Sequence, residues 1–376
     1  VTVPVRTRRL APLLGGLAAV ALVAGCSAAP AMPRQTATYT PDAAASASPT
    51  SAAPVLPAGE PVELARDLAA PWSIAFAGDA VFVSSRDSGE ILELVGGGTR
   101  VVGTVEGVVH RGESGLLGLA AREEDGADAL YAYSTSADGN RIQRFPLRFD
   151  NGARVLGQPE TILDGIPANA THNGGRIAFG PDGMLYATVG DAQNRAAAQD
   201  PASLSGKILR MTPDGDVPAD NPIPGSLVYS LGHRNPQGIA WAADGTMFAA
   251  ELGQDTWDEL NIITAGGNYG WPEVEGSAGD PAYIDPVQQW NPDEASPSGI
   301  AIAGGTIFVA NLRGRVLRSI PVADPTTSAE YFAGESGRLR DVAVGPDRAL
   351  WMLTNNTDGR GQPAPGDDRL LAVPLG

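Results

Sequence analysis

Three histidines occur in the 376 residues: His110, His172 and His233. An imidazole is the side chain best suited to take and return a proton near neutral pH. His172 sits in Thr171-His172-Asn173-Gly174-Gly175, and Asp191, in Val189-Gly190-Asp191, follows 19 residues later. A carboxylate there can accept the proton of one ring nitrogen and leave the other as a base. The plainer alternative is that His172 caps a loop and bonds only to backbone. Arg234, in Gly232-His233-Arg234-Asn235-Pro236-Gln237-Gly238, and Arg338 and Arg340, in Gly337-Arg338-Leu339-Arg340, supply cations. Buried cations persist only when they are paired or meet an anion, so these arginines serve either blade carboxylates or an anionic ligand. Glu113-Ser114-Gly115 and Ser296-Pro297-Ser298-Gly299 add further polar groups at comparable places in the chain.

These residues fall at comparable places because the chain repeats. An apolar strand, a short turn, a strand rich in β-branched and aromatic residues, and a third strand recur six times. The first unit is Ser73-Ile74-Ala75-Phe76, Ala80-Val81-Phe82-Val83 and Gly89 to Leu94, and the last is Asp341-Val342-Ala343-Val344, Ala349 to Leu353 and Arg369 to Val373. Corresponding positions, from Ile74 through Leu119, Ile177, Ile239 and Ile300 to Val342, lie 42 to 62 residues apart. Asp182-Gly183 and Asp244-Gly245 are Asp-Gly pairs suited to tight hairpin turns. Six such units predict an all-β, six-bladed β-propeller with four-stranded antiparallel blades, because radial closure leaves only protected edges. A β-sandwich gives no reason to repeat one unit six times. The strands near Val62-Glu63-Leu64 and Leu370 to Val373 are expected to complete one blade together. In a propeller, the segment before each innermost strand opens onto the mouth of the central channel, which gathers the polar residues above into one ring.

The 26 basic against 43 acidic residues give a formal net charge of -17, with Lys207 the one lysine. That balance argues against nucleic acid as a partner, which requires a clustered basic face. The 47 glycines and 31 prolines fit many turns between short strands. Residues 1–25 read as an export signal: Arg6, Arg8 and Arg9 precede an apolar run from Ala11 to Ala24 that is too short to span a bilayer in a mature protein. Val23-Ala24-Gly25-Cys26 resembles a bacterial lipobox, and Cys26, the sole cysteine, is expected to carry the lipid that anchors the protein outside the cytoplasm. Residues 26–60, rich in Ala, Ser and Pro, read as a disordered tether, which leaves 61–376 for the propeller.

His172-Asn173-Gly174-Gly175, the Gly232 to Gly238 stretch, Asp258-Glu259-Leu260-Asn261 with Gly266-Gly267-Asn268-Tyr269-Gly270-Trp271-Pro272, and Arg338-Leu339-Arg340-Asp341 together resemble the soluble glucose/sorbosone dehydrogenase family, in its aldose sugar dehydrogenase branch. The motifs come in the family's order from about Pro71 to the C-terminus. The resemblance implies oxidation of an aldose at C1 to the lactone, with pyrroloquinoline quinone (PQQ) and Ca²⁺ as cofactors. It also implies roles. His172 is the general base, Asp191 orients it, and Arg234 stabilises negative charge developing on the quinone oxygen. Asn235 binds the cofactor, and Glu113 is the polar residue facing the substrate beside it. Arg338 and Arg340 bind cofactor carboxylates, and Arg313 stands where the family often has a lysine over the cofactor. Gly253 and Gln254 supply carbonyls for calcium, where the family often has Gly-Pro. No Cys-x-x-Cys-His haem motif occurs, so electrons pass to a separate acceptor. Two rival classes are a cofactor-free surface propeller that binds cell-wall glycan or protein, and a propeller hydrolase. The hydrolase calls for carboxylates and Asn gripping calcium at the channel centre, where this chain offers arginine and histidine.

Overall fold

The structure, a computed structural model, describes residues 53–124 and 127–376. Six antiparallel sheets repeat one order, from an inner strand outward. Blade one runs Pro71–Ala77, Ala80–Ser85, Glu90–Val95, Gly98–Thr104, and blade three runs Ile177–Phe179, Leu185–Val189, Lys207–Met211, Val228–Leu231. Blades four and five begin at Pro236–Trp241 and Pro297–Ala303. Blade two, which begins at Leu116–Glu124, carries an extra strand, Ala153–Leu156, hairpinned onto Gly139–Asp150. Blade six is closed by both ends of the propeller, as expected: Val62–Ala65 pairs antiparallel with Leu370–Val373, Val62 facing Ala372.

Each strand alternates its side chains between two faces, and both faces of a blade are covered by its neighbours. The result is six apolar clusters, one at each junction between adjacent blades. At the junction of blades five and six, for example, Phe308, Leu317, Leu350 and Val373 are fully buried. The Asp-Gly turns form as predicted, with Gly183 and Gly245 at φ 75° and 89°.

One regular feature shapes the channel. Every inner strand except Ile177–Phe179 shifts register near its start: between Pro71 and Ile74, Leu116 and Leu119, Pro236 and Gly238, Pro297 and Ile300, and Leu339 and Asp341. A bulge re-aims the extra side chain. The residues caught in these bulges include Trp72, Ser73, Gln237, Ser298 and Arg340, all buried.

One boundary needs correction. The tether was expected to run to residue 60, yet Leu56 and Gly376 exchange main-chain hydrogen bonds at 3.0 Å and the Ala58 N–H donates to the Pro374 carbonyl at 2.8 Å. The free edge beyond the last strand gives these few residues partners that composition alone does not reveal. The export signal, Cys26 and the tether up to residue 52 lie outside the described residues. No helix among the described residues is long and apolar enough to cross a membrane.

Candidate active site

His172 has φ 59°, in the left-handed region that a non-glycine residue seldom adopts. Its loop is held from two sides. Its own N–H donates to Glu113 Oε2 at 3.1 Å, and the next N–H but one, that of Gly174, donates to Asn235 Oδ1 at 3.0 Å. Gly190 permits this packing, because a Cβ there would come within 2.1 Å of the His172 carbonyl oxygen. The imidazole Nδ1 lies 2.8 Å from Oδ1 of Asp191, whose side chain is fully buried. No described residue bonds to Nε2. Burial opposes ionisation of Asp191, but the hydrogen bonds from His172, the Gln193 N–H and the Trp271 indole outweigh it and hold the carboxyl below its ordinary range. An ionised Asp191 selects the tautomer with the proton on Nδ1 and leaves Nε2 as a base.

His233, also expected in the ring of the mouth, is sealed. Its Nε2 meets Ser230 Oγ and its Nδ1 meets Glu251 Oε2, both at 2.8 Å, and its ring stacks on Tyr269. Glu251 Oε1 accepts the Arg234 N–H, so His233 fixes the segment that presents Arg234. The Arg234 guanidinium donates through Nη1 to the Leu252 and Gly253 carbonyls and lies over the Trp271 ring, while its buried Nε has no partner. Burial lowers the pKa of Arg234, against the pull of Asp191, Glu275, Glu251 and Glu113.

A second group gathers at blade six. Asp358 Oδ2 accepts from Arg338 Nη2 at 2.9 Å and lies 3.6 Å from Arg340 Nη2, and the Asp358 carbonyl accepts from Arg86 Nη2 at 3.3 Å. Arg86 also pairs with Asp87 at 2.7 Å, so carboxylates take up part of this charge, while the Asp358 carboxylate is shared by Arg338 and Arg340. Burial, together with the positive charges of Arg338 and Arg86, brings Arg340 down to about 9. Nε of Arg338 is buried without a partner. Surplus buried positive charge with unused donors fits a polyanionic ligand. A cleft of about 560 Å³ opens here, lined among others by Arg313, Arg315, Arg338, Arg360 and Arg369. Arg313 is exposed and paired with Asp293.

Arg360 links the two groups: its Nη1 donates to Glu113 Oε1 at 2.6 Å and its N–H to Asp358 Oδ1 at 2.9 Å. Below the mouth, Trp72 lies between the guanidinium groups of Arg176 and Arg340, whose carbons are 4.3 and 5.7 Å from its ring. Arg176 pairs with Asp341 at 2.9 Å and donates to the Gln237 carbonyl at 2.9 Å, while Gln237 Oε1 accepts from Arg340 Nη1 at 2.9 Å. Trp72, Arg176, Gln237, Arg340 and Asp341 thus form one buried polar and aromatic group.

Gly253 and Gln254 lie on a loop pinned by two carboxylates. Asp258 Oδ1 accepts the Gly253 N–H at 2.8 Å, and Glu275 Oε1 accepts the Gln254 N–H at 2.5 Å. The Gly253 carbonyl faces Arg234 and accepts from its guanidinium, so it already meets positive charge. No group of three or more His, Cys, Asp or Glu side chains among the described residues is arranged to hold a metal ion.

Residues 68–363 match the Glucose / Sorbosone dehydrogenase family. The chain belongs to that family. It is 47% identical to the PQQ-bound form of aldose sugar dehydrogenase from Streptomyces coelicolor, with a TM-score of 0.80 over 85% of this chain and 100% of that one. It is 28% identical to the aldose sugar dehydrogenase YliI of Escherichia coli over 81% of this chain and 92% of that protein. The quinoprotein glucose dehydrogenase B of Acinetobacter calcoaceticus is 32% identical over 54% of this chain, which spans half the length of that protein. Sugar oxidoreductases are therefore its relatives in sequence and in fold.

The predicted residues divide accordingly. His172, Asp191, Glu113, Arg234 and Asn235 come together through direct contacts, and Arg338 and Arg313 line the neighbouring cleft, while Arg340 is buried beside Arg338, bonded to Asn355 and Gln237. Asn235 is buried, with its amide oxygen committed to Gly174. Sequence reading passed over Arg86, Arg176, Asp358, Arg360 and the indole of Trp271. Trp271 alone carried a signal, as a large residue within a quoted motif that had no assigned task.

Proposed function

We propose that this chain oxidises aldose sugars at C1 to the lactone with PQQ and calcium, and passes the electrons to an external acceptor. The observation that carries this reading is an imidazole held by a buried carboxylate, with Nε2 unengaged, beside under-neutralised arginines at one mouth. PQQ, when bound, supplies the hydride acceptor, which no side chain here can replace. Arg338 and Arg340 would hold its carboxylates, and the unused Nε of Arg338 supports that fit. The Gly253 and Gln254 carbonyls would hold calcium, which favours oxygen ligands. The Gly253 carbonyl now accepts from the Arg234 guanidinium, so calcium there would share or displace that donor.

The chain's own part is proton management and charge placement. His172 Nε2 takes the proton of the C1 hydroxyl, and Asp191 stabilises the resulting imidazolium through Nδ1. Arg234 sets positive charge beside the oxygen that becomes negative, where preorganised donors act most strongly. Glu113 holds the His172 main chain on one side and Arg360 on the other, and so fixes the base against the rim. Export and lipid attachment at Cys26 belong to the proposal on sequence grounds, and release of a Cys26→Ser form from membranes of an expressing bacterium tests them.

The deciding experiment adds PQQ and Ca²⁺ to purified protein and follows dye reduction with a panel of aldoses. His172→Ala should still bind PQQ and lose most turnover, because a general base contributes ~10²- to 10⁴-fold. Absence of turnover by the wild-type protein with every aldose, or unchanged turnover in the variant, defeats the reading. Glycan binding without oxidation would favour the non-enzymatic propeller.

A further inference from the structure

The two oxygens of Asp191 have separate duties. Oδ1 accepts from His172 Nδ1 and from the Gln193 N–H, both at 2.8 Å, whereas Oδ2 accepts from the Trp271 indole Nε1–H at 2.9 Å. Trp271 stands 80 positions away in the chain, on a blade-four loop, and is itself fixed. Its N–H donates to the Gly232 carbonyl at 2.9 Å, and its carbonyl accepts from Gln199 Nε2 at 2.7 Å. The guanidinium carbons of Arg195 and Arg234 lie 4.4 and 5.4 Å from its ring. One side chain therefore touches both the carboxylate behind the base and the arginine beside it.

We propose that Trp271 is a positioning residue that sets how strongly His172 holds a proton, acting through the second oxygen of Asp191. The proposal rests on the sugar-oxidation reading only for the task that the proton performs. A carboxylate divides its negative charge among its donors. With the indole donor gone, more of that charge falls on the Nδ1–H of His172, the imidazolium is stabilised, and the neutral base appears only at higher pH. The other charged groups facing this pair are Glu113 at the His172 main chain, Arg360 on Glu113, Arg234 beside Asp191, and Arg195 over the indole. All of them are retained in a Trp271→Phe protein, which keeps an aromatic ring in contact with Arg195 and Arg234 but loses the N–H and one fused ring.

Two measurements test this. In ¹⁵N-tryptophan-labelled protein without cofactor, the indole cross-peak that is absent from Trp271→Phe should move with pH along the same titration curve as the His172 ring signals, and Asp191→Asn should abolish the movement. In the reconstituted enzyme, Trp271→Phe should move the acid limb of kcat to higher pH, with ~3- to 10-fold lower turnover on that limb and near wild-type turnover above it. An indole signal indifferent to the His172 titration overturns the proposal, and where Trp271→Phe folds poorly the peak is assigned in the wild-type protein by triple-resonance spectra. A pH profile that is lowered uniformly, or left unchanged, also overturns it. If the indole follows His172 but no aldose is oxidised, the coupling stands and the sugar-oxidation reading falls.

Discussion

Glu259 lies in the Asp258-Glu259-Leu260-Asn261 stretch and is 8% exposed. Burial, with Glu251 adding negative charge nearby, pushes its carboxyl up to about 8 from an ordinary 4.5. The folded protein therefore keeps a proton that the unfolded chain releases at about 4.5. A group whose pKa is raised by folding contributes stability that is fully present below the unfolded value and is lost as pH rises through the folded one, here between about 4.5 and 8. Each unit of displacement is worth about 1.4 kcal/mol, so the loss across the window is on the order of a few kcal/mol. Glu259→Gln is neutral at every pH and can keep the bond that Oε1 accepts from the Gly276 N–H at 2.7 Å. Asp258, raised to about 6 mainly by burial, titrates in both proteins, whereas the Glu251 charge that raises Glu259 loses its partner in the variant, so the difference reads the pair. Urea unfolding of the two proteins at intervals from pH 5 to 9 measures that difference. The wild type should lose stability toward alkaline pH, and the variant should lose several kcal/mol less over the same range. Curves that stay parallel would refute the claim that Glu259 holds its proton in the folded state.

Asp191→Asn cannot accept from both His172 and Trp271 while its amide faces one of them, so turnover should fall by ~10²- to 10⁴-fold with PQQ affinity retained, as checked by dye-linked kinetics and a cofactor titration. Arg338→Ala combined with Arg340→Ala removes two charge-assisted partners worth ~1.5–3 kcal/mol each, so the PQQ dissociation constant should rise by at least tenfold in calorimetry. Arg176→Met strands Asp341, which burial already pushes upward and Arg176 restrains. The cost should be ~3–5 kcal/mol, largely recovered by adding Asp341→Asn, and chemical denaturation reads both.

The blade count was legible because each blade carries its own record: three strands with apolar alternation and, in blades three and four, an Asp-Gly turn. The outer strands were not. Gln288–Trp290 and Ala329–Tyr331 are three residues each, too short to show a period, and they exist because a neighbouring edge offers partners. The site divides along the same line. His172 and Asp191 could be picked out because histidine is rare here and a single hairpin, Ile177–Phe179 with Leu185–Val189, separates the two. Arg360 meets Glu113 across 247 positions, and Trp271 meets Asp191 across 80. No local pattern encodes either contact, since both depend on closing the ring. The bulges are the hidden step between them. Where an inner strand slips by a residue at its start, Trp72, Gln237 or Arg340 is buried, and these residues join Arg176, just before the unslipped blade-three strand, in one polar and aromatic group. Sequence periodicity assigns such residues to a strand, but only the broken register tells which way they face.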